Sequence, residues 1–169
     1  NILKALKRGN VVLQKMSSFL QIKQGKTVLS LKIIEGLNLP SFPQKDDKSS
    51  IKFSGEVLKD AFSKIAVAID ANSPKYEITG GLISISNDGV KFVSTDTKRL
   101  IFVEESGSFE NIEELEMILP KTAIIEIPKL FGGNIEFFYD SDSLVIESEE
   151  LYFYTRLING KYPNWKRIV

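Results

Sequence analysis

Neither cysteine nor histidine occurs anywhere in the 169 residues. The first absence excludes disulfides, thiolate zinc sites and cysteine nucleophiles, which fits a reducing compartment. The second removes the usual general base, the Ser-His-Asp arrangement and the commonest metal ligand, leaving carboxylates, lysine and tyrosine for any chemistry. Long apolar runs are missing too: the longest, such as Ile65–Ile69 and Ile101–Val103, fall far short of the roughly 20 residues that span a membrane. No basic-then-apolar leader opens the sequence, so a cytoplasmic location is expected. Neither sign of charge is in excess, with Lys+Arg and Asp+Glu at 22 each. A nucleic acid partner would therefore have to be attracted by local charge placement. At 43% hydrophobic and 26% charged, the chain has enough apolar mass for a proper core and one to two domains.

Periodicity divides the chain into alternating helical and extended stretches. Residues 1–8 read as a helix end, with Asn1 as a possible N-cap, Ile2, Leu3 and Leu6 on one face and Gly9 as the stop. Extended runs follow over 10–16, 19–23 and 27–34, separated by Ser17-Ser18 and Gln24-Gly25-Lys26. Residues 36–50 hold two prolines and then a polar, charged tract, and read as an interdomain connector with Leu37, Leu39 and Phe42 pinned against a core. A short strand at 50–53 precedes a helix over 55–70, in which Val57, Leu58, Ala61, Phe62, Ile65, Ala66 and Ile69 fall at helical spacing. Strands are expected at 76–86, 90–95 and 100–104, with Asn87-Asp88-Gly89 as a hairpin turn.

The order then recurs as a strand at 115–119, a helix at 121–131, a Gly132-Gly133 stop, and strands at 135–139, 144–147 and 151–158. Pro128 inside the second helix predicts a kink or an early end, because proline lacks the N–H and crowds the preceding turn. Helix followed by three strands thus occurs three times, twice with a leading strand. An α+β fold is expected, built of duplicated strand-helix-three-strand units whose antiparallel sheets lie outside and whose helices share one face.

Two stretches carry the surface chemistry. V-S-T-D-T-K-R-L at 93–100 and T-R-L-I-N-G-K-Y-P-N-W-K-R-I-V at 155–169 mix apolar, hydroxyl and guanidinium groups. That combination suits a peptide-docking patch with an apolar floor and a polar rim, and neither stretch holds the parts of a catalytic centre.

These phrases resemble those of the bacterial DNA polymerase sliding clamp family, the beta subunit of DNA polymerase III. T-D-T-K-R-L at 95–100 resembles its T-D-[GT]-[HK]-R-L phrase, and R-L-I-N-G-K-Y-P-N-W-K-R-I-V at 156–169 its closing phrase. L-P-K-T-A-I-I-E-I at 119–127 resembles the start of the second helix of the middle domain, and L-N-L-P-S-F-P at 37–43 the end of the first. The resemblance implies the DNA-clamp fold, with residues 1–45 as the C-terminal half of the first domain plus connector, 46–169 as the middle domain, and the third domain absent. It implies a processivity factor that encircles duplex DNA without sequence preference. Such a factor docks the replicative polymerase, the clamp loader and repair polymerases through short peptide motifs, and closes as a homodimer ring when full length.

Carried over position by position, the resemblance places Lys75, Ile78, Thr95, Thr97, Lys98, Arg99, Leu100, Pro163, Arg167 and Ile168 around the partner-peptide pocket. Family members often have Gly-His where this chain has Thr97-Lys98. Lys4, Lys7, Arg8, Lys75, Tyr76 and Lys121 would face DNA, and Leu29 and Leu31 would contact a second subunit. No catalytic residue, metal, cofactor or membrane is implied. The alternatives are a carboxylate- and metal-dependent phosphoryl-transfer enzyme built on Asp96, Lys98, Arg99, Glu147, Glu149 and Glu150, or an unrelated protein-interaction module. Against the enzyme, no phosphate-binding Gly-rich loop with Lys-Ser/Thr is present.

Overall fold

The helical periodicity after residue 54 is realised as α2 (Gly55–Ile65), whose buried face is Leu58, Ala61, Phe62 and Ile65. The computed structural model describes residues 2–34, 43–107, 109 and 114–168, and the chain divides into two units, 1–42 and 43–169. The expected roles of Asn1, Leu37, Leu39 and Phe42 lie outside the described residues.

In the first unit, α1 (Ile2–Ala5) precedes an antiparallel sheet of order β1-β2-β3, formed by β1 (Val12–Lys15), β2 (Phe19–Gln24) and β3 (Thr27–Lys32). The helix is one turn, shorter than its periodicity suggests, and it buries none of its residues. So short a segment without a packed face has little to stabilise it. Register puts Leu13 opposite Ile22, Ile22 opposite Leu29 and Leu20 opposite Leu31, so these side chains share the apolar face. Leu29 and Leu31 are half-buried there, and β3 is an edge strand.

The second unit contains the duplication. β4 (Ser49–Ser54) leads into α2, followed by β5 (Gly80–Ser86), β6 (Gly89–Thr95) and β7 (Leu100–Ser106). β8 (Leu115–Pro120) leads into α3 (Lys121–Leu130), followed by β9 (Asn134–Tyr139), β10 (Ser143–Glu147) and β11 (Tyr152–Arg156). The two leading strands are exchanged. β4 pairs with β9 in a sheet of order β11-β10-β9-β4, and β8 pairs with β5 in one of order β7-β6-β5-β8. All pairings are antiparallel.

Both sheets pack on the two helices in one core. Phe62 of α2 meets Phe92 of β6 edge to face at 5.8 Å, and Phe53 of β4 lies 5.0 Å from Phe137 of β9. Side chains this completely buried contribute about 1.5–3 kcal/mol each. Ala123, Ile124 and Ile127 of α3 complete the floor between the sheets.

Local departures from the expected boundaries have local causes. α2 stops at Ile65 and tightens into a 3₁₀ turn over Ala66–Ala68, while Ile69 stays buried. Its expected last turn is replaced by a cap from the other repeat, since Lys121 Nζ donates to the Ile69 carbonyl at 2.7 Å. Residues 76–78 form a 3₁₀ turn instead of the start of a strand. Pro128 sits inside α3, which runs two residues beyond it. Lys48 and Lys45 bind the segment before β4 to the other repeat through Asp140 and Glu147, and Tyr152 Oη donates to the Pro43 carbonyl. Burial would raise the Asp140 carboxyl, but Lys48 and the hydrogen bonds from Asp142 and Ser143 pull it down to about 2.

Candidate functional site

The β6–β7 hairpin is closed by residues 96–99, and its loop is fixed by its own side chains. Asp96 Oδ1 accepts from the amides of Lys98 (3.0 Å) and Arg99 (2.7 Å), while Oδ2 accepts from Arg99 Nε (2.9 Å) and Nη2 (2.7 Å). Thr95 Oγ1 donates to the Arg99 carbonyl at 2.7 Å and accepts from the Thr97 amide at 3.1 Å. Arg99 Nη2 also reaches the Val67 carbonyl at 3.5 Å. The sequence phrase T-D-x-x-R is therefore a self-bracing loop. Arg99 is exposed, but its guanidinium is committed to shaping this loop more than to walling a pocket.

This bracing makes the loop acid-sensitive. The Arg99 side-chain and backbone hydrogen bonds hold the Asp96 carboxyl down to about 2. Its contribution is present above the ordinary carboxylate range, near pH 4, and is lost as pH falls through about 2. An NMR titration should show the Asp96 carboxyl and the Lys98 and Arg99 amides moving together with that midpoint. A midpoint near 4 would show that the brace is not formed.

Thr97 stands at φ +74°, alone in that region among the described non-glycine residues. A β-branched side chain there costs roughly 1–2 kcal/mol. Glycine would meet this backbone conformation without that cost. Thr97→Gly should stabilise the chain by about 1 kcal/mol in urea denaturation, and a destabilised variant would refute the assignment of strain.

The floor beside this loop is a second apolar cluster, on the face of the β7-β6-β5-β8 sheet away from the helices. Ile78, Leu82, Val93, Ile118, Ile158, Tyr162 and Trp165 form it, with Leu100 and Phe102 half-buried against it. Phe102 stacks on Trp165 at 5.3 Å. After β11 the chain crosses to this sheet, where the Ile158 amide donates to the Ile118 carbonyl at 2.9 Å. Gly160, at φ +145°, passes against Glu77, whose Cγ would lie 2.8 Å from an added Cβ. The chain then turns, with the Trp165 amide donating to the Pro163 carbonyl (2.7 Å) and the Ile168 amide to the Trp165 carbonyl (2.9 Å).

The structure thus joins most of the expected pocket residues to one cluster, though not all as walls. Ile78 is 1% exposed and belongs to the floor. Leu100 packs on the same cluster, Thr95 lies by Tyr162, and Pro163, Arg167 and Ile168 emerge from the turn around Trp165. Ile168 is 73% exposed. Thr97 and Lys98 are at the exposed loop tip, and Lys75 is exposed just before the 3₁₀ turn instead of on a strand. A neighbouring cavity of about 510 Å³, between Glu114–Glu116 and Lys161–Lys166, includes only Pro163 of the expected set.

Sequence reasoning missed Tyr162 and Trp165, which anchor the cluster; the spacing of Ile158, Tyr162 and Trp165 was the available signal. Burial pushes the Tyr162 phenol up to about 12. Its Oη is without a hydrogen-bond partner among the described residues.

Of the residues expected to face DNA, Lys4, Lys7, Arg8, Lys75 and Tyr76 are exposed, whereas Lys121 is half-buried and spent on the Ile69 carbonyl. Two of the four carboxylates of the enzyme alternative are in ion pairs, Asp96 with Arg99 and Glu147 with Lys45. No metal-binding group of three acidic side chains occurs among the described residues, and no helix is long and apolar enough to cross a membrane.

Solved structures with this arrangement include beta clamps. A Helicobacter pylori beta clamp bound to a DNA ligase peptide matches with a TM-score of 0.86 and 37% identity, over 99% of this chain and 48% of that one. A Streptococcus pneumoniae DNA polymerase III beta chain, 21% identical, shares the fold at a TM-score of 0.82, over 99% of this chain and 46% of that one. The fold is therefore that of the DNA clamps. In sequence, the beta sliding clamp of Helicobacter pylori strain J99 is 38% identical over all of this chain and 46% of its own length. The model of the DNA polymerase III beta subunit, central domain, matches residues 52–164, and the chain belongs to that family. It spans about half the length of the curated relatives it matches.

Proposed function

We propose that the chain is part of a sliding clamp, with residues 1–45 supplying the second half of a first domain and 46–169 a middle domain. In this reading the assembled ring encircles duplex DNA in the cytoplasm. It acts without chemistry of its own, and docks polymerase, clamp loader and repair proteins at the cluster under the 95–100 loop. Leu29 and Leu31, on an edge strand, would support pairing with a second subunit.

The observation that carries the docking site is the juxtaposition of a rigid loop, an apolar floor and an exposed turn. Leu100 sits half-buried on the Trp165 cluster, while Ile168 stands out beside it. An extended peptide with apolar anchors gains most where side chains enter such a packed rim. The Helicobacter pylori relative bound to a DNA ligase peptide supports the same kind of occupant.

Titrating the chain with a labelled Gln-Leu-x-Leu-Phe peptide tests this. Saturable binding is expected, with chemical-shift changes at Leu100, Thr95 and Ile168. No binding, or binding that leaves these resonances unmoved, would sink the docking site.

A further inference from the structure

The second unit opens on a turn with a lysine at each end and two aspartates at its tip, Lys45-Asp46-Asp47-Lys48, closed by a hydrogen bond from the Lys48 amide to the Lys45 carbonyl at 2.9 Å. Residues 43–48 form no strand, and β4 begins only at Ser49. Both lysines engage the β11-β10-β9-β4 sheet, while Asp46 and Asp47 stay exposed. Lys45 pairs with Glu147 and stands over the Phe138 ring at 5.1 Å, and Tyr152 Oη donates to the Pro43 carbonyl. Phe138 and Glu147 alternate with the core residues Phe137 and Ile146, so Lys45 lies on the sheet face turned away from the helices.

Lys48 goes deeper. Its side chain is 7% exposed, and Nζ pairs with Asp140 and donates to Ser143 Oγ at 2.7 Å. The receiving site is braced without it. Asp140 Oδ1 accepts from the amides of Asp142 (2.8 Å) and Ser143 (2.7 Å), and Ser143 Oγ lies 3.0 and 3.1 Å from the two carboxylate oxygens. The Asp140 side chain is itself 45% exposed. When the ammonium withdraws, the carboxylate keeps its amide donors and meets water, so neither charge is left unpaired in the interior. A seat that outlasts its occupant, under a segment held by side chains, suits local opening on a body that stays folded.

We propose that the 45–48 turn is a reversible latch, with Lys48 as its pin and Asp140 and Ser143 as its socket, and that it sets how much free chain precedes β4. Closed, the chain leaves the second unit at Pro43; open, it leaves at Ser49. Opening therefore adds six residues to the tether, up to about 20 Å of further reach for residues 1–42. The two ends yield differently. The Lys45 and Glu147 side chains are 41% and 40% exposed, so salt screens their attraction, whereas Lys48 is shielded and lets go last. The latch is independent of peptide docking, whose apolar cluster lies on the other sheet.

Amide hydrogen exchange and backbone relaxation by NMR, on the full 169-residue chain, test the latch. Lys48→Met keeps the aliphatic stem and removes the pin, and should speed exchange of the amide at position 48 by about tenfold or more. Asp140→Asn keeps the Oδ1 acceptor for the Asp142 and Ser143 amides but removes the charge, and should do the same. Lys52→Ala deletes a neighbouring ion pair of the same sheet, Lys52 with Glu136 at 4.0 Å, and should leave position 48 as in the parent. In the parent, about 1 M salt, where the Debye length is about 3 Å, should speed that exchange several-fold and dilution should restore it. Throughout, the amides of β9 and β10 should keep their protection.

Unchanged exchange at position 48 in both Lys48→Met and Asp140→Asn would overturn the proposal, because packing alone would then hold the turn. Lost protection across β9 and β10, or failure of both variants to fold, would overturn it as well, making Lys48 a fixed strut of the sheet. Fast exchange in the parent at low salt would show that the turn does not close, and a parent indifferent to salt would show that it does not open. Either result removes the latch.

Discussion

Trp165→Ala is expected to lower the unfolding free energy by about 3–5 kcal/mol, the range for truncating a large aromatic in a packed core. Trp165 is 5% exposed, stacks on Phe102 and anchors the cluster that holds residues 158–165 against the sheet. Its loss removes contacts from both, and the space left cannot be refilled by the exposed Pro163 or Asn164. Denaturation followed by far-ultraviolet circular dichroism is the suitable measurement, because Trp165 is the only tryptophan and its fluorescence disappears with it. A cost under about 1 kcal/mol would mean that the closing segment is not seated as described. Peptide affinity should fall in parallel, since the floor and the turn bearing Ile168 both depend on this ring.

Ile168→Asp separates binding from folding. The side chain is 73% exposed, and its held backbone amide is unaffected by the substitution. Stability should change by no more than about 0.5 kcal/mol, as for surface replacements generally. Affinity for the Gln-Leu-x-Leu-Phe peptide should nevertheless drop by about 30-fold or more, the effect of losing an interface anchor worth about 2 kcal/mol and presenting a carboxylate to an apolar ligand. Isothermal titration calorimetry reads both variants against the parent chain. Wild-type affinity in the Ile168→Asp chain would remove the turn from the docking site.

Much of this architecture was legible where a local pattern has a single structural outcome. The apolar stripe Leu58, Ala61, Phe62, Ile65 reads as a core-facing helix because no strand register would put those four side chains together. Asn87-Asp88-Gly89 reads as a hairpin, and the strands around it pair Ser86 with Gly89. The phrase at 95–100 was recognisable, but its physical content was not. That Asp96 and Arg99 brace the loop, and that residue 97 needs a left-handed backbone, depends on hydrogen bonds no periodicity encodes.

What stayed hidden was long-range. The Ser49–Ser54 stretch alternates like any half-buried strand, so nothing in it chooses between β5, thirty residues on, and β9, its actual partner about eighty residues away. The closing segment carries cations beside its apolar residues, and reads as surface until Ile158, Tyr162 and Trp165 are seen on one side.

The exchange of leading strands has a consequence for how the second unit can be divided. Severing the chain between β7 and β8 gives two pieces of similar plan, yet each sheet would then take its fourth strand from the other piece. Neither fragment owns a finished sheet, and each would present an open backbone edge that only its sister fills. The two repeats are thus expected to fold together, as halves of one body, and not to serve as independent modules.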